Sequence, residues 1–271
     1  SPSVMPINEV ETAIFPASNG HVYFLQAPTS GTTISTAYWD YDPVAHGWGS
    51  PQSSCSPAIA PDGTVYVVIR TSGADAIVRL DPFAKQELQS WVATGTGTEI
   101  SGSCVIAPDG SVFVGTNGAA NGEGNLFKLT PALAQEWATS SSASGMIADN
   151  DGFFGSPIVG QDGSIYFHTA KAAAGDINIG ALNPDGTVAW ASNVAKRQLI
   201  DGTTGFVSSI MIDDTGLLYV YAEEGDAVRS YEKVRAPERE REVLFSNYDL
   251  LGSTADKVAG RPVWLLTLKP K

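Results

Sequence analysis

Apolar and polar positions alternate along the chain in short runs, and turn-forming residues separate the runs. The stretch SPAIAPDGTVYVV, residues 56–68, shows the pattern: an apolar run, a Pro-Asp-Gly turn and an alternating run. Alternation with a period of two predicts a β-strand, and Asp-Gly between two such runs predicts a tight hairpin. Similar stretches begin at Cys104 and Ser156, so the chain contains the same hairpin at least three times.

The repeat is defined by a turn glycine, an aliphatic residue two positions later and an aromatic residue three positions later. Successive glycines are 43, 47, 53 and 53 residues apart, and they are Gly20, Gly63, Gly110, Gly163 and Gly216. The acids that precede three of them, Asp62, Asp109 and Asp162, are interpreted as turn residues that hydrogen-bond their own backbone.

Two further elements follow each hairpin. An apolar strand ends in a proline, about twenty residues after the glycine in the first four copies, and a tryptophan follows that proline in the same four. Each unit therefore contains four strands, A to D. Radially repeated four-stranded units of about 40–50 residues are the blades of a β-propeller, which bury their faces against one another.

The segments IAPDGTVYVV…VRLDPFAKQELQSW and VGQDGSIYFHT…ALNPDGTVAW resemble the PQQ-like repeat family of propellers. The resemblance extends over nearly the whole chain and implies the fold. Quinone-dependent dehydrogenases share the repeat, but they have eight blades and adjacent cysteines near the cofactor. This chain is too short for that ring and lacks the cysteine pair, so we expect neither a quinone nor another cofactor.

We therefore predict a single all-β propeller domain of five blades. Residues 1–7 are expected to supply the missing outer strand of the last blade and so to close the ring. The predicted blades are 13–50, 54–94, 103–140, 155–193 and 207–271, with an insertion at 222–262. The segment PEREREVLF in this insertion is a candidate short helix. In an alternative interpretation, residues 227–234 and 242–247 are ordinary C and D strands and the chain ends in a partial sixth blade.

The connections between strands point to one face of the propeller. The A–B turns are short and uniform, whereas the B–C and D–A connections differ in every copy, so we expect a ligand at the variable-loop face. Its mixture of charged and aromatic residues suits sugars, peptides or cations. The candidate ligand-binding residues are Glu99, Asp149, Asp151, Phe153, Lys196, Arg197, Asp201, Tyr221, Glu223, Glu224, Arg229 and Tyr231. A solvated face without a ligand is the alternative.

Catalytic and metal chemistry find less support in the sequence. The inner strands carry no carboxylate before their turns, which argues against a paired-carboxylate hydrolase in the channel, although a pair from the loops stays open. The three histidines are not expected to converge on a metal. Residues 149–152, DNDG, resemble the start of a calcium loop but lack its downstream ligands, so calcium is only an alternative to no metal.

The two cysteines, Cys55 and Cys104, fall on inner strands of adjacent predicted blades. We expect either a disulfide, which would indicate an oxidising compartment, or two buried thiols. The net charge of −13, from 16 basic and 29 acidic residues, argues against nucleic-acid partners. No apolar run is long enough to insert into a membrane.

These observations favour a secreted or periplasmic binding or scaffold propeller, monomeric, that engages a glycan, a small molecule or a protein on its variable-loop face. The alternative is a hydrolase or lyase with a single asymmetric site at the mouth of the central channel.

Overall fold

The computed structural model describes the backbone of most of the chain. The described residues are 2–28, 37–49, 51, 55–95, 97–117, 123–146, 152–171, 176–193, 211–212, 218–224, 227–232, 248–258 and 261–270. Side chains are described up to residue 191, apart from residues 170–178.

The described residues form 22 β-strands in five sheets and one turn of 3₁₀ helix, Val44–His46. Sheet 1 contains β1 Ser3–Ile7, β2 Val10–Pro16, β3 Val22–Gln26 and β4 Trp39–Tyr41. Sheet 2 contains β5 Ala58–Ile59, β6 Val65–Ile69, β7 Ala76–Asp81 and β8 Gln86–Val92. Sheet 3 contains β9 Glu99–Ile100, β10 Val105–Ile106, β11 Val112–Asn117, β12 Asn125–Leu129 and β13 Gln135–Ser140. Sheet 4 contains β14 Phe153–Val159, β15 Ile165–Lys171, β16 Asp176–Leu182 and β17 Val188–Asn193. Sheet 5 contains β18 Met211–Ile212, β19 Leu218–Glu224, β20 Ala227–Glu232, β21 Tyr248–Val258 and β22 Arg261–Pro270.

Sheets 1 to 4 are antiparallel, and their strands follow one another in chain order, with β9 as an added piece beside β11. The innermost strands touch in sequence: β1 contacts β5, β5 contacts β10, and β10 contacts β14. Sheets 1 to 4 are therefore packed face to face around a common axis, and the first strand of each sheet lies nearest to that axis. The all-β expectation is confirmed.

The predicted hairpin turns are confirmed in sheets 2, 3 and 4. In sheet 2 the N–H of Ala60 donates to the Thr64 carbonyl and the N–H of Gly63 donates to the Ala60 carbonyl, both at 2.9 Å. Gly63 has a φ of +82°, which a residue with a side chain rarely adopts. The same two hydrogen bonds recur at 107–111 and 160–164.

Sheet 1 differs from the prediction. It begins at Ser3 instead of residue 13, because a two-residue turn at Asn8 and Glu9, with φ of +52° and +67°, folds β1 back onto β2. Positive φ at both positions is the geometry of a type I′ hairpin turn. The turn at Gly20 therefore joins the second and third strands of this sheet, not the first and second.

The same pairing bears on how the ring closes. The described residues place β1 as the innermost strand of sheet 1, where Met5 and Ile7 are buried, and not as the outer strand of the last blade. Its hydrogen-bonded partner is β2, in the first sheet. Closure by residues 1–7 is thus not what the structure shows.

Apolar side chains fill the junction between sheets 1 and 2, the junction between sheets 2 and 3 and the junction between sheets 3 and 4. At the junction of sheets 2 and 3, Trp91 meets Phe127 edge-on, with the ring centroids 4.8 Å apart. The Tyr66 hydroxyl donates to the Pro131 carbonyl at 2.6 Å, so the repeated aromatic also anchors one sheet to the next. Burying such rings is the main stabilising contribution to a stack of sheets.

Sheet 5 departs from the other four. Its order is β18-β19-β20-β22-β21, and β20 runs parallel to β22. β20 and β21 both fall within the predicted insertion 222–262, so part of that segment is strand, and β20 lies where the alternative interpretation placed a C strand. The predicted helix lies outside the described residues. The part of the chain that the structure describes contains no helix long and apolar enough to cross a membrane.

Candidate functional site

The two ends of the sheets are referred to as the turn face and the loop face. The turn face carries the turns 60–64, 107–111 and 160–164. The loop face lies at the opposite end and carries residues 70–75, 97–103, 117 and 152–156.

At the turn face the acids are used by their own turns. Asp62, Asp109 and Asp162 each accept a hydrogen bond from the backbone N–H two residues later, at 2.9, 2.9 and 3.1 Å. The Ser111 N–H holds the pKa of Asp109 below its ordinary value, because it stabilises the carboxylate. The prediction that these three acids are turn residues is confirmed.

At the loop face, one strand position differs from sheet to sheet. Three residues after each turn glycine, sheets 2 to 5 carry an aromatic side chain. Seven residues after it, at or just beyond the end of the same strand, they carry Arg70, Asn117, Ala170 and Glu223. The residue type therefore recurs at the third position, near the turn face, but not at the seventh position, at the loop face. A search for repeated residues cannot detect the seventh position.

Arg70 reaches from sheet 2 to sheet 3. Its Nη2 donates to the Ile100 carbonyl at 2.7 Å, while its buried Nε has no hydrogen-bond partner among the described residues. No carboxylate of the described side chains lies within ion-pair distance of Arg70. By contrast, Arg79 pairs with Asp62 at 2.7 Å, toward the turn face.

Asp75 holds two loop-face connections together. Its side chain is buried, and its two carboxylate oxygens accept hydrogen bonds from the N–H groups of Thr71, at 3.0 Å, and Ile100, at 2.8 Å. Burial raises the pKa of Asp75, because the charged form loses its hydration. With both oxygens engaged, Asp75 acts as a clamp on the backbone rather than as a group that meets a ligand.

Asn117 and Glu99 form the next part of the face. They stand opposite each other where β9 pairs with β11, and Asn117 also forms an isolated bridge with Gly152 at the start of sheet 4. The Oδ1 of Asn117 is buried and has no partner among the described residues, whereas Glu99 is exposed. Of these two side chains, Glu99 is the accessible acceptor, because the Oδ1 of Asn117 is buried.

Serine side chains tie the innermost strands together at the loop face. The N–H of Ser56 donates to the hydroxyl of Ser103 at 2.8 Å, and the N–H of Ser103 donates to the hydroxyl of Ser156 at 2.9 Å. Ser3 adds the link between sheets 1 and 2 by donating to the Pro57 carbonyl at 2.6 Å. These links repeat from sheet to sheet and give the face a fixed frame.

The structure brings only some of the predicted site residues to this face. Glu99 is there. Phe153 is not available to a ligand, because its ring is fully buried against Phe167 and its Cβ fills the space beside Gly115. Tyr221, Glu223 and Glu224 lie in β19, and Arg229 and Tyr231 lie in β20, where Ala222 is opposite Arg229 and Val220 is opposite Tyr231. Asp149, Asp151, Lys196, Arg197 and Asp201 lie outside the described residues.

Cys55 and Cys104 are both buried at the junction of sheets 2 and 3, and no disulfide joins them in the structure. Burial, with a smaller contribution from neighbouring Cys55, raises the pKa of Cys104 to about 12. The disulfide is therefore not formed here, and the alternative of two buried thiols describes the structure. Among the described residues, no group of three or more His, Cys, Asp or Glu side chains could hold a metal ion.

Comparison with known proteins identifies the fold but no family. No family model matches the chain, and no curated protein matches it in sequence. The Dos1 propeller superposes with a TM-score of 0.57 at 9% identity over 84% of this chain and 55% of that one. Hydrazine synthase of Kuenenia stuttgartiensis gives a TM-score of 0.53 at 13% identity, over 82% and 54%.

A putative 6-phosphogluconolactonase from Bacteroides uniformis gives a TM-score of 0.53 at 18% identity, over 86% of this chain and 66% of that one. The chain thus spans between about half and two thirds of the length of these structures. At such identities the likeness concerns the fold alone, and the resemblance to PQQ-like repeats stays a prediction. Together with the radial contacts of the innermost strands, these neighbours support the conclusion that the chain folds as a β-propeller.

Proposed function

We propose that this protein is a non-catalytic binding propeller that takes a glycan at its loop face. One observation carries the proposal. The acids of the turn face bond their own backbone, whereas the loop face carries a partly exposed Arg70, positioned by a hydrogen bond to the Ile100 carbonyl, and the exposed carboxylate of Glu99.

The chemistry of these groups suits a sugar. Each sugar hydroxyl can donate one hydrogen bond and accept others, so it pairs with an arginine donor on one side and with an amide or carboxylate acceptor on the other. The serine links and the Asp75 clamp fix the surrounding backbone before a ligand arrives. A preorganised site loses less conformational entropy on binding, which favours affinity without a large buried area.

Hydrolysis or lyase chemistry is the second candidate, and the described residues favour binding over it. A paired-carboxylate mechanism needs two carboxyl groups that both reach the substrate. At the loop-face connections of sheets 2 and 3 the described carboxyl groups are Asp75, Glu99 and Glu123. Both oxygens of Asp75 are taken up by backbone N–H groups, and Glu123 accepts a hydrogen bond from the Ser142 hydroxyl at 3.1 Å. A location outside the cytoplasm belongs to the proposal, since glycans are common there, but it draws no support from Cys55 and Cys104, which the structure does not join in a disulfide.

The architecture we propose is a closed ring of five blades, one for each of the five sheets and five turn glycines. Small-angle X-ray scattering tests it. A closed, monomeric chain of 271 residues should have a radius of gyration of about 18 Å. A clearly larger value, at a molecular mass of one chain, would show an open arc.

A glycan array followed by thermal-shift titration of the hits tests the proposed function. We expect at least one glycan to raise the melting temperature in a dose-dependent manner. Glu99→Ala at the loop face should weaken that binding, and Phe83→Ala, whose ring is 50% exposed toward the turn face, serves as the matched control. Binding that is lost with Phe83→Ala and kept with Glu99→Ala would place the site on the other face.

A further inference from the structure

We propose that the strand position seven residues after each turn glycine selects the ligand, and that Arg70 at this position binds the carboxylate of an acidic sugar. This inference rests on the proposed glycan function and makes it specific. The ligand class is a glycan that contains a uronic acid or a similar sugar acid.

The first support comes from comparing the partners of the described lysine and arginine side chains. Arg79 pairs with Asp62 at 2.7 Å, and Lys128 pairs with Glu136 at 2.8 Å. Lys85 donates to the Tyr38 carbonyl and stands over its ring. Arg70 has no carboxylate in ion-pair contact among the described side chains, although its charge acts on the buried Asp75 and opposes the rise that burial causes in the pKa of that carboxyl. A carboxylate in direct contact with the guanidinium is therefore left for a ligand to supply.

The geometry of the guanidinium is the second support. Arginine has five N–H donors in a planar fork that matches the two oxygens of a carboxylate. The hydrogen bond from Nη2 to the Ile100 carbonyl uses one of them and fixes the plane of the fork. The Nε donor has no partner among the described residues but is buried, so the Nη groups are the donors that would meet a ligand carboxylate. Asp75 does not supply the missing partner, because its oxygens bond the N–H groups of Thr71 and Ile100.

The surroundings of β9 are the third support. This strand is two residues long: Ile100 receives the Arg70 hydrogen bond, and Glu99 stands opposite Asn117. Arg70 and Asn117 therefore flank the same short strand from neighbouring junctions. A sugar acid placed across it would give its carboxylate to Arg70 and find an acceptor for its hydroxyls in the exposed carboxylate of Glu99.

Asymmetry is the fourth support. A site that is repeated at every junction would carry similar side chains at the seventh position. Instead the strands β6, β11, β15 and β19 are followed to this position by Arg70, Asn117, Ala170 and Glu223, so among them only sheet 2 offers a cation there. The arrangement favours one acidic-sugar site per chain.

The test uses the intact protein and isothermal titration calorimetry. The probes are digalacturonate, its methyl ester and the neutral disaccharide digalactose. We expect one site for digalacturonate, with affinity roughly tenfold or more above that of the ester and of digalactose, because the ester keeps the sugar and removes the charge. Arg70→Gln should abolish this preference while leaving the weaker neutral binding in place. Arg79→Gln, the same change toward the turn face, should leave the preference intact.

The outcomes separate this inference from the proposed function. Equal affinity for the acid and its ester overturns the role of Arg70 and leaves glycan binding standing, and this comparison needs no variant that could misfold. Binding of no glycan, charged or neutral, overturns both. A short oligoglutamate peptide that binds as tightly as digalacturonate would overturn the choice of a glycan in favour of a protein ligand.

Discussion

Asp109 at the turn face and Arg70 at the loop face show how differently the two ends of the sheets use a charged side chain. Asp109 bonds the N–H of Ser111, two residues further along the same turn. Arg70 crosses to the neighbouring sheet, bonds the Ile100 carbonyl and keeps an unpaired donor. The first charge is used within its own turn, whereas the second connects two sheets and is the one for which we propose a role in binding. The comparison teaches that a functional candidate is recognised by its unused bonding capacity rather than by its charge.

The largest expected effect concerns the close packing of the loop face. A Cβ on Gly102 would overlap the backbone of Gly155 in the next sheet, so Gly102→Ala must push sheets 3 and 4 apart. We expect a loss of about 3 kcal/mol in the free energy of unfolding, measured by urea denaturation. Gly49→Ala is the control, because nothing lies within 4 Å of that position. Equal, small effects of the two changes would show that the loop-face frame is loose.

Acid should weaken the fold through His168, in β15 of sheet 4. This residue is buried, neither ring nitrogen has a partner among the described residues, and burial lowers its pKa from 6.5 to about 4. Because the folded protein resists protonation more than the unfolded chain does, stability is full above pH 6.5 and falls as the pH drops toward 4. The loss should reach about 3 kcal/mol.

Urea denaturation at pH 7 and pH 4.5 checks this prediction, with His168→Gln as the comparison. The variant lacks the titrating group, so its stability should change less between the two pH values than that of the parent protein. An identical pH dependence of parent and variant would assign the acid sensitivity to the carboxyl groups instead.

A smaller effect is expected from the serine links. Ser103→Ala removes the hydroxyl that accepts the N–H of Ser56 and leaves that donor without its partner. The free energy of unfolding should fall by about 1–2 kcal/mol, since a buried donor without a partner costs about that much. Ser142→Ala, an exposed serine outside the links, is the control for replacing a hydroxyl by a methyl group. If both variants are as stable as the parent, the links do not hold the frame.

The smallest effect is expected from the ion pair of Arg79 and Asp62, whose carboxylate side chain is half exposed. Asp62→Asn removes the negative charge and keeps an acceptor for the turn, so it should cost under about 1 kcal/mol, and the difference should shrink further in 1 M salt. Chemical denaturation at low and high salt measures both. A loss of several kcal/mol would mean that the turn face depends on this pair more than its exposure suggests.

The sequence predicted those parts of the fold that obey a local rule. An Asp-Gly pair between alternating strands specifies its hairpin, so the turns at Gly63, Gly110 and Gly163 could be placed from the sequence. Sheet 1 could not be assigned correctly, because the turn at Gly20 has the same local hydrogen bonds as the others but joins different strands. The turn that decides the matter, Asn8–Glu9, contains no glycine and gives no comparable signal.

The site was less accessible from the sequence for a physical reason. Phe153 looked like a loop aromatic, but its burial depends on the space left by Gly115 in the neighbouring sheet, which is a contact between distant residues. Arg70 was missed because its candidacy rests on an unpaired Nε, and hydrogen-bond partners across a sheet junction cannot be read from one strand. Glu99 was found, since its exposure follows from its place in a variable connection.

Hydrogen–deuterium exchange of the intact protein, with and without saturating digalacturonate, tests most directly whether the loop face is the binding face. The account predicts slower exchange at residues 97–103 and 115–117, and no change at the turns 60–64, 107–111 and 160–164. Protection of those turns with an unchanged loop face would contradict it.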